Sequence, residues 1–504
     1  MSERLSAPAR ALNPDRAARG RVATWPAAAV CAAFAAAQLA LTVRGSGLGW
    51  DETVYTSQVS GHVPAAFFSA PRARGVTFAA APVALLTGST LVLRLWMCAL
   101  SGAGLLAALW PWRPLLPPRL LALAAALFAG LWITLFYGPQ VMPNLGSAYG
   151  ALAATGCLVR VARDPAGAPG SGRGAQRRLL AGLVAGLAVT GLMRPPDAVW
   201  LAAGLGCAAL VAARGRRAVV LAALATGVAS GCAEWVVEAY VRYGGLTERL
   251  HEASAIQGGL GWHVAVMDQL RSLGGRTLCR PCTGPWQHRS ASVWWLLLPC
   301  AAAAGVAVAP RARRVTVAVP AAAAVAVAIP YLLTVGYAAP RFLLPAYALL
   351  AIPVAQALGR VALAPGGRWR PLPTALVALA LCVHLTVQLA VLHGVMRNNR
   401  LLSGKYAAVA ARLHAQGVRP PCTVSGADAV PIAYYAGCAS RQTGGPDHSI
   451  SGPELAALAR RQPVALLVAA GAGPPAFASG WRCVPLPSAP EPDGARACVA
   501  PEPG

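Results

Sequence analysis

Charge is what this sequence lacks most. Only 12% of its 504 residues are charged, where a soluble domain carries about a quarter. Acidic residues are scarcest, 17 Asp and Glu against 43 Lys and Arg, and Lys405 is the only lysine. Polar helix faces are missing too. Runs such as 120–135 and 315–335 are apolar all round, which excludes an alanine-rich soluble helical protein. No Gly-rich loop ends in Lys and Ser/Thr, so no nucleoside-triphosphate loop is present. No Asp-x-Asp occurs, which argues against a nucleotide-sugar donor held through metal-bound pyrophosphate. Residues 1–24 lack the apolar core and small-residue cleavage site of a secretion signal, and are expected to form a cytoplasmic tail.

What is there is hydrophobic, 56% of the chain, in blocks of roughly 18–22 residues that fit membrane-spanning helices. Eleven spans are expected, at 25–43, 89–110, 119–136, 145–162, 179–193, 198–213, 218–240, 292–309, 315–336, 342–361 and 372–393. Residues 75–88 are apolar but short and interrupted by Pro82, so they read as an interfacial or re-entrant helix. With the N-terminus inside, every inner loop is basic. The clusters are Arg113, Arg173/Arg177/Arg178, Arg214/Arg216/Arg217, Arg311/Arg313/Arg314 and Arg368/Arg370, as the positive-inside rule requires. Counting 75–88 as a span would invert that pattern. The net charge of +26 is therefore assigned to loops facing anionic lipid and cytoplasm rather than to nucleic acid.

Three pieces fall on the outer side: a first loop, 44–88; a long loop, 241–291; and the region after the last span. Within the last, 394–484 reads as a small α/β domain, with a helix-like Ala407–Gln416 and strand-like Thr423–Ser425 and Val464–Val468. The Pro-rich remainder, 485–504, reads as disordered. Seven cysteines lie in apolar spans and read as small buried hydrophobes. The six outer ones, Cys279, Cys282, Cys422, Cys438, Cys483 and Cys498, are numerous enough for three disulfides in an oxidising compartment. Connectivity is not deducible from spacing; the simplest pairing joins neighbours, 279–282, 422–438 and 483–498.

In so acid-poor a chain, the adjacent pair Asp51-Glu52 just after the first span stands out, because carboxylates at a membrane boundary must be solvated, paired or functional. By this topology Arg72, Arg74, Arg194, His251, Glu252, His263 and Arg341 share its side, an arrangement that suggests a polar cavity there.

The order of these pieces resembles a known group. The acid pair is followed by an aromatic residue (Asp51-Glu52-Thr53-Val54-Tyr55). A Pro-containing segment and a span starting Gly88-Ser89-Thr90-Leu91-Val92-Leu93-Arg94-Leu95 come next. Ala339-Pro340-Arg341-Phe342-Leu343-Leu344-Pro345 stands late in the chain. Over roughly residues 25–395 this resembles the polyprenyl-phosphate-dependent glycosyltransferases of the GT-C superfold, which include protein O-mannosyltransferases and lipid A aminoarabinose transferases. The resemblance implies a mostly α, polytopic membrane bundle (25–393) bearing a small C-terminal extracytoplasmic α/β domain. It also implies inverting transfer of a sugar from a polyprenyl-phosphate donor to a glycan, lipid or protein acceptor at the outer face of a bacterial plasma membrane.

By that resemblance Asp51 is the general base, and Glu52 orients the acceptor or helps hold a divalent cation. Arg341 binds the donor phosphate, with Arg72, Arg74 and Arg194 as further candidates. A cation, Mg or Mn, would draw on His251, Glu252 or His263. Two places depart from the family pattern. Met142-Pro143-Asn144 stands where several relatives carry an acid, and Ser69-Ala70-Pro71-Arg72 replaces a His-Pro-Pro-type element. A transporter or flippase of lipid-linked glycans, or a non-catalytic membrane scaffold, is the alternative. A transporter favours internal repeats and mid-membrane charges; no clear repeat is visible, and the acids sit at span ends.

Overall fold

The computed structural model of the chain describes residues 25–163, 173–213, 215–283, 285–363, 371–445, 447–486 and 495–501. The expected tail 1–24, Arg214 and the Arg368/Arg370 cluster lie outside them.

The chain opens with α1 (Trp25–Gln38), extended by a π-helical turn Leu39–Val43, and then the short α2 (Trp50–Ser57) and α3 (Gly75–Ala84). There follow α4 (Thr90–Leu109), α5 (Pro118–Ala129), α6 (Trp132–Tyr137), α7 (Pro143–Arg163) and α8 (Arg173–Met193). Next come α9 (Pro195–Ala212), α10 (Arg217–Arg242), α11 (Leu246–Ile256) and α12 (Val266–Ser272). The bundle ends with α13 (Val293–Ala307), α14 (Arg314–Leu333), α15 (Leu344–Leu363) and α16 (Pro371–Ala415). Among the described residues nine helices are long and apolar enough to cross a membrane. The chain is thus a multi-pass membrane bundle, and all nine match expected spans.

The other two expected spans differ. Residues 119–136 are not one helix: α5 ends at Ala129 and α6 restarts at Trp132. Helix α16 meets the break from across the bundle. A Cβ on Gly130 would stand 2.7 Å from Leu385 Cδ2 of α16, so the helices approach closely there. The Trp132 N–H, orphaned at the new helix start, donates to Gln388 Oε1 at 2.9 Å. The expected 179–193 lies within α8, whose first turns carry Arg173, Arg177 and Arg178 and which is not among the nine. Helix α3 has 10 residues, about 15 Å of helix against a ~30 Å hydrocarbon core, too short to span.

Helix α16 runs 45 residues without interruption, roughly 68 Å. The expected separate helix at Ala407–Gln416 is therefore the end of this one. It delivers the chain to a five-stranded sheet, β1 (Thr423–Gly426), β2 (Ala439–Ser440), β3 (Val464–Val468), β4 (Arg482–Pro485) and β5 (Arg496–Val499), ordered β2-β1-β3-β5-β4. β1 pairs parallel with β2 and β3; β5 pairs antiparallel with β3 and β4. All five residues of β3 are buried, as a strand covered on both faces requires. Helices α17 (Ala429–Ala436) and α18 (Gly452–Ala459) complete this unit. Disorder from 485 onward does not hold for β5, which is central in the sheet because Leu466 and Cys483 both pair with Cys498. Residues 487–494 and 502–504 lie outside the described set. The three expected disulfides, Cys279–Cys282, Cys422–Cys438 and Cys483–Cys498, are all formed.

The sheet unit and the later part of α16 are both docked onto the segment that leads into α2. The Leu48 N–H donates to Tyr435 Oη at 2.7 Å, Ser46 Oγ to Asn399 Oδ1 at 3.2 Å, and Arg400 Nε to the Arg44 carbonyl at 3.0 Å. Gly47 sits in this seam. A Cβ there would lie 2.3 Å from Ser403 Cβ and 2.5 Å from Tyr435 Oη. Gly47→Ala should therefore cost about 1–3 kcal/mol as an overpacked contact, read as a lower unfolding midpoint of the purified chain. An unchanged midpoint would show that α16 and α17 can withdraw from the turn freely.

Candidate active site

Two adjacent carboxylates point into different environments. Glu52, the third residue of α2, is almost fully buried, and both its oxygens are occupied. Oε2 accepts from the Gly49 N–H at 3.1 Å, which caps the helix start, and from Arg94 Nη2 at 2.8 Å. Oε1 accepts from the Val141 N–H at 2.9 Å and from Arg94 Nη1. Arg94, wholly buried in α4, also donates to the Pro139 carbonyl at 2.9 Å and the Gly47 carbonyl at 2.6 Å. This ion pair fastens the turns 47–49 and 139–141 and the first turn of α2 together.

Asp51, its neighbour, remains about one-third accessible and bridges two guanidinium groups. Arg72 Nη2 stands 2.8 Å from Oδ1 and Arg341 Nη2 3.1 Å from Oδ2. Arg72 is also held by Ser69 Oγ at 3.0 Å and lies 5.2 Å over the Tyr55 ring. Arg341 donates to the Thr277 carbonyl at 2.9 Å and Tyr137 Oη at 3.3 Å. Asp51 and Arg341 open onto a cavity of about 720 Å³. Trp50, Tyr137 and the 274–278 strip border its polar end; Phe136, Met142, Val391, Val395 and Leu402 make much of the rest apolar.

Similar architectures occur among solved structures. The ArnT of Cupriavidus metallidurans bound to undecaprenyl phosphate aligns with a TM-score of 0.66 at 13% identity, over 93% of this chain and 98% of that one. Its apo form gives 0.64 at 14%, over 96% and 98%. The archaeal oligosaccharyltransferase AglB of Archaeoglobus fulgidus, in complex with an inhibitory peptide and a dolichol-phosphate, gives 0.50 at 11%, over 87% of this chain and 69% of that one. No protein-family profile matches the sequence, and neither does any curated protein.

The chain has the GT-C fold.

Within that GT-C fold, Asp51, Arg72 and Arg341 come together although 290 residues separate Asp51 from Arg341. The other expected site residues are engaged elsewhere. Glu52 has no oxygen left for an acceptor or a cation. Arg74 is taken by Glu238 at 2.6 Å and lies 3.5 Å from Glu234, so it does not join the Asp51 pair. Arg194 pairs with Asp197 at 3.3 Å and donates to Tyr331 Oη at 2.8 Å; it acts on Asp51 only through space. Among the described residues no three His, Cys, Asp or Glu form a group able to hold a metal, so His251, Glu252 and His263 do not gather into a ligand set. His251 and His263 are exposed. Asn144, at the departure from the family pattern, is fully buried with neither amide atom hydrogen-bonded.

Four residues at or under the site were not expected from the sequence. Tyr137 and Thr277 reach Arg341 from loop and short-helix positions with no pattern of their own. Arg94 did carry a signal, a charge set within an apolar helix. Asp447 carried none. It belongs to the sheet unit, is buried, and accepts from Trp50 Nε1 at 3.1 Å. Burial pushes its carboxyl above the ordinary value, beyond what Arg72 and the Trp50 bond offset, and Asp51 adds to the rise.

Burial also pushes the Asp51 carboxyl up, but Arg72 and Arg341 outweigh it and hold the group below its ordinary 3.8. A depressed folded value means that ionisation favours the folded chain. The stabilisation is complete above the unfolded value and fades as pH falls through the lower folded one. Wild type should therefore exceed Asp51→Asn in unfolding midpoint by a constant margin above about pH 5, with the margin closing below 3.8. A margin that closes near neutral pH would contradict the double pairing. Arg94→Ala, which strands Glu52 without its partner, should cost about 3–5 kcal/mol in the same measurement. A loss below about 1 kcal/mol, the size of an exposed pair, would mean that Glu52 is solvated.

Proposed function

We propose that this chain is an integral membrane glycosyltransferase that moves a sugar from a polyprenyl phosphate to an envelope acceptor, with inversion, at the extracytoplasmic face. The observation that carries it is one half-buried carboxylate, Asp51, that lines a largely apolar cavity together with Arg341 and is held on its other oxygen by Arg72. A sugar phosphate on a long prenyl chain has those same parts: an apolar tail, an anionic phosphate and a reacting carbon beside it. The basic inner clusters support the orientation, N-terminus inside and sheet unit outside.

In the proposed reaction the acceptor hydroxyl oxygen attacks the anomeric carbon. Its proton passes to the Asp51 carboxylate. The bond from that carbon to the phosphate oxygen breaks, and the electron pair leaves with the polyprenyl phosphate. The diester becomes a monoester, and its new negative charge falls to Arg341 and Arg72, fixed donors that need not reorganise. Asp51 tied to two cations is a weak base. A donor phosphate that draws on the same guanidinium groups loosens that hold and makes Asp51 more basic when the substrate is in place. The donor set does not fit a divalent cation: Glu52 is saturated, Asn144 replaces the acid expected there, and the histidines do not assemble. The leaving-group charge is therefore assigned to the arginines.

The test compares envelope glycans and glycoproteins by mass spectrometry in cells with the gene, without it, and with Asp51→Asn. The expected result is a glycan that needs the gene and is lost, by about a hundredfold or more, with Asp51→Asn present at normal membrane levels. Retained transfer would remove Asp51 as the base. Unchanged glycans with altered solute uptake would favour a transporter instead.

A further inference from the structure

Arg72 sits on a segment with little regular structure of its own. Residues 64–69 belong to neither helix nor strand, and the Arg72 N–H closes a turn onto the Ser69 carbonyl at 3.0 Å. Buried carbonyls need partners, and here three alternate ones, 68, 70 and 72, are all held from the same side. Tyr243 Oη donates to the Phe68 carbonyl. Trp235 Nε1 and Arg249 Nε both donate to the Ala70 carbonyl, at 3.2 and 3.1 Å. Arg249 Nη2 donates to the Arg72 carbonyl at 3.0 Å.

Arg249 is the centre of this arrangement. It is wholly buried in α11, and its guanidinium lies 4.4 Å over the Trp235 ring and 4.6 Å over the Tyr243 ring. It also donates to the Trp235 carbonyl at 2.6 Å and to Glu238 Oε2 at 2.9 Å. The other oxygen of Glu238 takes Arg74, the last residue of the same segment. One buried ion pair thus holds both ends of the stretch that presents Arg72 to Asp51.

We propose that Arg249, anchored by Glu238, is a positioning residue that sets the Arg72 guanidinium for recognition of the lipid phosphate. The proposal rests on the function argued above. A planar fork with donors at fixed angles can serve three carbonyls and a carboxylate at once; an ammonium cannot match that geometry. Neither Arg249 nor Arg72 is among the residues lining the cavity; Arg72 meets it through Asp51, which is, and Arg249 acts through the Arg72 backbone.

The test titrates the purified full chain in detergent with undecaprenyl phosphate and, separately, with undecaprenol, the same tail without phosphate, by native mass spectrometry. Wild type should prefer the phosphate. Arg249→Lys should weaken phosphate binding about tenfold, the scale of removing a single charge-assisted hydrogen bond, and leave undecaprenol within about twofold. Arg72→Ala should show the same selective loss, and the double variant should lose no more than Arg72→Ala alone, since both act on one interaction. Should Arg249→Lys not fold, Glu238→Gln takes its place, with the same selective loss expected. Equal losses for both ligands would reduce Arg249 to fold support, and additive losses would place its effect outside Arg72; either overturns the proposal. Wild type with no preference for the phosphate would overturn the parent function, a result distinct from a phosphate preference that Arg249→Lys leaves intact.

Discussion

Glu52 carries a negative charge into a place closed to water, and the chain tolerates it because Arg94 is closed in with it. An isolated buried carboxylate costs far more than a folded protein's margin of stability. Paired, and with four further backbone groups completing the set, it becomes a rivet through three separate turns. Everything at the candidate site is measured from that rivet. It fixes the first turn of α2, and with it the direction in which the next side chain, Asp51, leaves the backbone. Leu48, just before that turn, receives Tyr435 from the sheet unit, and Trp50, its first residue, receives Asp447. The sheet unit is therefore packed against the start of α2 through Leu48 and Trp50, while α16 supplies the C-terminal residues that line the cavity.

Charge around this point is distributed unevenly. Arg94 pairs with Glu52 and Arg194 with Asp197, while Arg74, Arg242 and Arg249 gather on Glu238. Arg72 and Arg341 share Asp51, two guanidinium groups on one carboxylate, and Asp51 and Arg341 line the cavity. Low-dielectric walls concentrate such a field and favour an anion there. The long apolar side of the same cavity, with α16 along it, suits a chain of hydrocarbon. The fold alone does not choose a chemistry. The charge arrangement carries the argument.

The stretch 64–74 shows how a segment without secondary structure can still present one side chain accurately. Its carbonyls are satisfied by Trp235, Tyr243 and Arg249 instead of by a neighbouring strand. Its position is thus inherited from α10 and α11, elements far along the chain that contribute no group to the Asp51 pair.

What could be read from the residues alone was what depends on composition and local period. Nine spans, the short α3 and the prominence of the Asp51-Glu52 pair were legible because apolar runs, proline and scarce acids declare themselves within a few residues; the neighbour pairing of the cysteines was only the simplest of several. The partition of near-identical arginines was not legible. Arg72 and Arg74 are two positions apart, yet one pairs with Asp51 and the other with Glu238, partners that no local pattern announces. Glu52 and Asp51 divide in the same way at a helix start. The break at Gly130 and the unbroken length of α16 also depended on a partner helix. Sequence determined which groups must be kept from lipid; only tertiary packing decided which of them satisfy one another, because a buried charge is settled by whichever distant group the fold brings within about 3 Å of it.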